Sequence, residues 1–324
     1  YLFLKYFSPL KDLADVVLYH HADCDEIKNL DSDHQILAQL ISMCDRADIF
    51  LKYKKDSGGF MEHLRKHRDT KYLGHVVDIF LASGINISTI YDSMDCDAAF
   101  NRVFYNTPLS EDEVNGYIRM IIFSIDFRSS QTVIHTVATA CAAGVLAKLL
   151  GAGENDINKI KTGAMLHDIG KIGIPVHILE SKERLNESDM EIMRTHVEVT
   201  EKILDGNVDD DIKYLAVRHH EKLNGTGYPK KLSACDITLY DRVVAAADIF
   251  SALCGARSYK SEFSKEKIIG ILNDMSGLLD PQIVSLTIEH FDEIYEEIER
   301  ESIPVINDYN AINDEYRLLA GIQE

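Results

Sequence analysis

Paired cysteines, long apolar runs, alternating β-branched segments and positive charge are all scarce in this chain, and each shortage narrows what it can be. The six cysteines, Cys24, Cys44, Cys96, Cys141, Cys235 and Cys254, stand far apart with no C-x-x-C pair. That spacing argues against a thiolate zinc site and a disulfide scaffold, and fits reduced thiols in a cytoplasmic protein. No run of about 20 apolar residues occurs; the nearest, Val133 to Leu150, is interrupted by His135, Thr136, Thr139 and Lys148. No membrane span is therefore expected in this chain. Alternating β-branched stretches are nearly absent while apolar residues recur at helical spacing, which predicts an all-α fold. Lys and Arg number 34 against 53 Asp and Glu, a net charge of -19. A surface of that sign repels a nucleic-acid backbone, so neither a DNA nor an RNA duplex is an expected partner. A small anionic substrate stays admissible where metal ions and a few local cations reverse the potential inside one cleft.

A length of 324 residues with 46% hydrophobic content exceeds the usual single domain and predicts two. The first residue is Tyr1 rather than Met, so the sequence reads as part of a longer protein. Asn106-Thr107-Pro108 is the best boundary, because proline after polar turn residues stops the preceding helix. It divides a smaller helical domain, 1–107, from a second, 108–324. Ser110 and Glu113 have the form of a capping box opening a helix with Val114, Ile118, Ile121, Ile122 and Ile125 on one face. Asn186 before Glu187 and Asp189 marks another start, leading into a helix expected to carry His196. Near the C-terminus Val284, Ile288, Phe291, Tyr295 and Ile298 form an apolar stripe, read as a helix packing on its own domain, with a dimer or signalling contact as the alternative.

Residues 17–50 laid under 217–250 show an imperfect repeat. His20-His21 is followed by Ala47-Asp48-Ile49-Phe50 in one copy, and His219-His220 by Ala247-Asp248-Ile249-Phe250 in the other. The first copy has no counterpart of Asn224 to Pro229 and no upstream His-Asp pair. It reads as a degenerate or truncated sister unit that cannot assemble the same site.

Histidine and aspartate then fall in a telling order: His135, His167-Asp168, His196, His219-His220, Asp248. Imidazole nitrogen with carboxylate oxygen suits Fe, Mn, Zn, Co or Ni, and a carboxylate can bridge two ions where a histidine cannot. Asp168 is the candidate bridge. Leu166-His167-Asp168-Ile169-Gly170-Lys171 places two ligands and a cation where an apolar helix ends, with Gly170 expected to permit the turn. Asn224-Gly225-Thr226-Gly227-Tyr228-Pro229 is a glycine-rich turn that would let backbone approach a ligand.

In these pieces the chain resembles the HD superfamily of metal phosphohydrolases and, within it, the HD-GYP family, over roughly residues 118–300. QTVIH (131–135), HDIGKIGIP (167–175), His196, HHEKLNGTGYP (219–229), AAADIFSAL (245–253) and RSYK (257–260) carry the resemblance. It implies an all-α HD-type bundle around two or three metal ions, often iron or manganese. The activity it implies is hydrolysis of cyclic di-GMP, or of cyclic GMP-AMP in some members, by metal-activated water. On the matched positions His135, His167, Asp168, His196, His219, His220 and Asp248 are metal ligands. Asp168 and Lys171 serve the chemistry, Lys171, Arg257 and Lys260 meet phosphate or guanine, and Tyr228 shapes the pocket. Gln131 stands where three-metal members have Glu, which implies two ions rather than three. Ser181-Lys182-Glu183 replaces a common Lys-Pro-Gly turn. Two other readings are a general nucleotide phosphohydrolase, disfavoured by GTGYP and RSYK, and an impaired receptor or scaffold, disfavoured by the intact ligand set.

Overall fold

The structure is a computed structural model and describes all residues except 55, 94, 106, 127–129, 182, 256–262 and 322–324. Among the described residues the fold is helical throughout, with isolated bridges and no strand, as the periodicity predicts. Contacts divide the chain into Tyr1–Met120 and Ile121–Glu324. The division falls inside a helix, later than the proline turn, because the capping box at Ser110 opens a continuous helix. There Ser110 N donates to Glu113 Oε2 (2.8 Å) and Glu113 N to Ser110 Oγ (3.3 Å).

The first unit runs through α1 (Leu2–Phe7), α2 (Ala14–Tyr19), α3 (Ser32–Ile49), α4 (Ser57–Lys66), α5 (Gly74–Ala82), α6 (Ile87–Ser93) and α7 (Cys96–Tyr105) into α8 (Glu111–Asp126). Its core gathers Met43, Phe60, Leu64, Tyr72, Val76, Val77 and Ile87. The repeat has a local echo. His20 Nδ1 donates to Val17 O at 2.6 Å, as His219 Nδ1 does to Ala216 O at 2.6 Å, and both neighbouring imidazole pairs sit close, at 3.8 and 4.0 Å between centroids. Asp48 is exposed, whereas Asp248 is buried.

The second unit continues with α9 (Ser130–Leu149), α10 (Glu154–Leu166), α11 (Val176–Leu179), α12 (Glu187–Arg194), α13 (His196–Leu204) and α14 (Asp210–Val217). Then come α15 (Leu239–Cys254), α16 (Lys265–Asp274), α17 (Pro281–Glu289) and α18 (Phe291–Ala320). The central helix α9 is apolar on every side. Its Thr132–Leu149 stretch is the single described helix apolar and long enough to cross a membrane, and 67% of it is buried inside the protein. Ala138, Ala142, Ala143 and Ala147 line it, and such small side chains let α10, α15 and α18 approach closely. Gly163 does the same for α10, since a Cβ there would lie 2.5 Å from Leu215 Cβ on α14.

Two helix readings need correction. The helix begun at Asn186, whose side chain accepts from Asp189 N (2.9 Å), ends at Arg194, and His196 opens the next. Thr195 marks the break, its hydroxyl turning back to Ile192 O at 2.7 Å. The stripe from Val284 to Ile298 is likewise split at His290 between α17 and α18, although all five residues pack into the core of this unit. Cys24, Cys44, Cys141, Cys235 and Cys254 are free thiols, and burial pushes the Cys141 and Cys254 thiols up to about 12.

Candidate metal centre

Five segments bring the predicted ligands together. His135 lies on α9, His167 caps α10 with Asp168 next to it, and His196 begins α13. His219 and His220 follow α14, and Asp248 lies on α15. A 3₁₀ turn, Ile169–Gly173, carries the chain away from Asp168. Gly170 is needed there for contact rather than for turning. A Cβ on it would lie 1.9 Å from His196 O and 2.5 Å from Thr200 N, so only glycine lets the turn dock on α13. Thr200 seals that docking: its Oγ1 accepts from Gly170 N (3.0 Å) and donates to His167 O (3.2 Å).

The histidines are oriented alike. Nδ1 of His167 donates to Ala164 O (2.6 Å), that of His196 to Met193 O (2.7 Å), and that of His219 to Ala216 O (2.6 Å). A carbonyl only accepts, so Nδ1 carries a proton in all three and Nε2 is the nitrogen left to meet a metal, holding a lone pair in the neutral His196 and His219. All three Nε2 atoms are buried and lack a hydrogen-bond partner. A buried polar atom without a partner is costly, and two of these, on His167 and His196, face a carboxylate. Asp168 presents one oxygen to each side, with Oδ2 3.0 Å from His167 Nε2 and Oδ1 3.4 Å from His196 Nε2. Asp248 Oδ1 lies 3.0 Å from His135 Nε2 and 3.6 Å from His167 Nε2, while its Oδ2 faces His220 Nδ1 at 3.8 Å. Two donor sets result, His135/His167/Asp168 and His196/His219/His220, each with its atoms within 4.8 Å of one another. Both lie in the second unit, and their chemistry fits divalent cations.

The protonation pattern agrees. Burial alone would lower the His167 pKa, but Asp168 and Asp248 outweigh it and lift the group to about 9. Where no cation sits between His167 and Asp168, a proton takes its place. Burial works against ionised Asp168, yet His167 and Lys171 hold its carboxyl well below the usual range. Asp248 is depressed too, chiefly by His135, against its own burial. Burial drives His219 far below the ordinary imidazole value and His220 down to about 4, keeping both neutral and ready to ligate.

Lys171 Nζ rests on Asp168 Oδ2 at 2.5 Å. Tyr228 packs against His220 at a tilt, with ring centroids 4.6 Å apart, and burial raises its phenol pKa. Arg257 and Lys260 lie outside the described residues, as do Lys182 and the side chain of Gln131.

Sequence reasoning missed the residues that hold these groups in place. Besides Thr200, Ser251 Oγ donates to Asp248 O (2.9 Å) and lies 3.1 Å from His135 Nδ1 and 2.7 Å from Thr139 Oγ1, tying α15 to α9. Buried Glu221 accepts from Lys230 N (2.8 Å) and Leu232 N (2.9 Å), folding the glycine-rich loop back onto His220. A Cβ on Gly227 would meet Glu221 Cα at 2.5 Å and His220 O at 2.6 Å. A faint signal existed: Thr200 is four residues beyond His196 and Ser251 three beyond Asp248, each one helical turn from a ligand.

The family model described as HD domain matches residues 118–283, the segment that supplies all seven predicted ligands, and the chain belongs to the HD domain family. Among its relatives is the 3'3'-cGAMP-specific phosphodiesterase 2 of Vibrio cholerae, 37% identical over 174 residues, covering 52% of this chain and 33% of that protein. The 3'3'-cGAMP-specific phosphodiesterase 1 of the same organism is 27% identical over 310 residues, 89% of this chain and 72% of that one. The cyclic di-GMP phosphodiesterase response regulator RpfG of Xanthomonas campestris is 35% identical over 165 residues, 50% of this chain and 44% of that protein. The chain thus matches less than half the length of the first and third of these relatives.

Proposed function

We propose that this protein is a metal-dependent phosphodiesterase that hydrolyses a cyclic dinucleotide, cyclic di-GMP or cyclic GMP-AMP, to the linear dinucleotide or mononucleotide. One observation carries the reading: three buried, unpartnered imidazole nitrogens converge beside a carboxylate, Asp168, that offers an oxygen to each of two donor sets. The relatives' substrates support the nucleotide class. On this reading His135, His167 and Asp248 would hold one divalent ion, His196, His219 and His220 the other, and Asp168 would serve both. The resemblance to the HD-GYP family favours iron or manganese, and the mixed imidazole and carboxylate set admits zinc, cobalt and nickel as well. Gln131 favours two ions over three, because a neutral amide supplies no charge for a third. The bound ions would activate water and neutralise charge gathering on phosphorus.

The chain's own groups then have separate tasks. Asp168 and Asp248, both ionised at physiological pH, balance part of the ionic charge and leave a positive site for an anionic substrate. Lys171 adds a point charge beside Asp168, Arg257 and Lys260 engage phosphate or guanine, and Tyr228 walls the pocket at His220. The test is chromatographic analysis of products after anaerobically purified protein, loaded with Fe(II) or Mn(II), meets cyclic di-GMP and cyclic GMP-AMP. Linear product from the wild type and none from Asp168→Ala is the expected result. Binding without cleavage would instead make the site a receptor, and neither binding nor cleavage would overturn the reading.

A further inference from the structure

Arg194 ends α12, two residues before His196, with its side chain exposed. Its guanidinium carbon sits over the Tyr228 ring, 5.4 Å from the centroid, and the other neighbour of that ring is His220. Tyr228 is itself fixed, because its N–H donates to His220 O (3.2 Å) and Glu221 clamps the loop beyond it. The Arg194 side chain forms neither a hydrogen bond nor an ion pair with any described residue, in a chain of 53 acidic side chains. Lys171, on the opposite donor set, is committed to Asp168.

A guanidinium resting on an aromatic face keeps its N–H edges free and loses little freedom when they are used. Those edges match the paired oxygens of a phosphodiester. The aromatic face is already taken by the cation, which leaves no platform there for a stacked base. We infer that Arg194, presented by Tyr228 at the mouth of the His196/His219/His220 set, binds the second phosphate of the cyclic dinucleotide, the one that is not being cleaved. This rests on the function proposed above. It gives the substrate an anchor at each end: one phosphodiester at the metal ligands, the other at Arg194.

The test uses the full metal-loaded protein with cyclic di-GMP, cyclic GMP-AMP and cyclic di-AMP. Arg194→Ala should raise KM about tenfold, the scale of one charge-assisted contact at an exposed position, with kcat within about twofold of wild type. The factor should be the same for all three nucleotides, and Arg194→Lys should recover less than half of it, since an ammonium lacks the fork. Metal content and melting temperature should not change, which a merely structural role would alter. Unchanged KM, a loss of metal, or a penalty that grows with the number of guanines would overturn the inference, the last by making Arg194 a reader of base edges. If the wild type cleaves none of the three, the proposed function fails. Calorimetric binding of the same nucleotides then decides on Arg194 separately: equal weakening in Arg194→Ala supports it, and equal affinity, or no binding by either protein, overturns it.

Discussion

Replacing Gly170 by alanine tests whether the docking of one turn on one helix builds the metal centre. The new Cβ would lie 1.9 Å from His196 O, 2.5 Å from Thr200 N and 2.7 Å from Thr200 Oγ1, where ordinary contact needs about 3.5 Å. Two of these neighbours are backbone, so the turn must move off α13 by about 1.5 Å rather than a side chain stepping aside. That displacement breaks both Thr200 hydrogen bonds and parts His167 and Asp168 from His196. Overpacking together with the two lost bonds costs about 3 kcal/mol or more, which for a unit of this size lowers Tm by about 6–12 °C. Metal affinity should fall by about tenfold to a hundredfold, as it does when the groups orienting a ligand are lost. Gly270→Ala is the control, because nothing lies within 4 Å of its added Cβ and Gly270 is an exposed position in the interior of α16. That change should raise Tm by about 1–4 °C. Calorimetric melting and elemental metal analysis of both variants decide the matter. A Gly170→Ala protein that melts within about 2 °C of wild type and keeps its full metal content refutes the reasoning.

Three further outcomes follow from the same geometry. The His167 pKa is raised to about 9, so its proton stabilises the metal-free protein fully below about 6.5 and ceases to do so as pH climbs through 9. A ligating cation must displace that proton, so metal affinity measured against a chelator should weaken about tenfold per pH unit as pH falls below 9; a flat profile between pH 7 and 9 would contradict it. Glu221→Gln keeps one acceptor for the two amides of Lys230 and Leu232 and should cost about 1–3 kcal/mol. It should also raise KM through a loosened Tyr228, while retained loop protection in hydrogen exchange would count against that role. Ser251→Ala removes the hydroxyl that orients His135 through Nδ1 and should reduce metal affinity about tenfold, read by competition titration; unaltered affinity would show that His135 is held without it.

What the sequence disclosed and what it withheld differ in physical kind. The seven candidate ligands were readable because each is a chemically distinctive side chain at a spacing that helices of this length can bring together. All seven converge in one unit. The all-α fold was readable from periodicity, but the helix breaks at Thr195 and His290 were not, because apolar spacing runs through a corner as easily as along a straight helix. Gly170 was read as a turn-former, whereas its necessity comes from His196 and Thr200, residues about thirty positions away that a local pattern does not report. Thr200, Ser251, Glu221 and Arg194 were missed for the same reason: each acts on a partner that only tertiary packing supplies.

The repeat shows where local legibility stops. His20 and His219 make the same bond to the carbonyl three residues back, at the same 2.6 Å, and each packs at a tilt against a following histidine. Up to that point the two are equivalent, and the bond alone fixes the tautomer a metal needs. The difference lies at the other nitrogen. That of His219 is sealed from water without a partner, in a cluster with two buried carboxylates that His20 lacks, since the aspartate in the matching place, Asp48, is exposed. A histidine becomes a ligand when its free lone pair is buried beside negative charge, so that a cation costs less than leaving the site empty. Installing the tautomer takes four residues of helix; installing the need for a cation takes the convergence of α9, α10, α13 and α15.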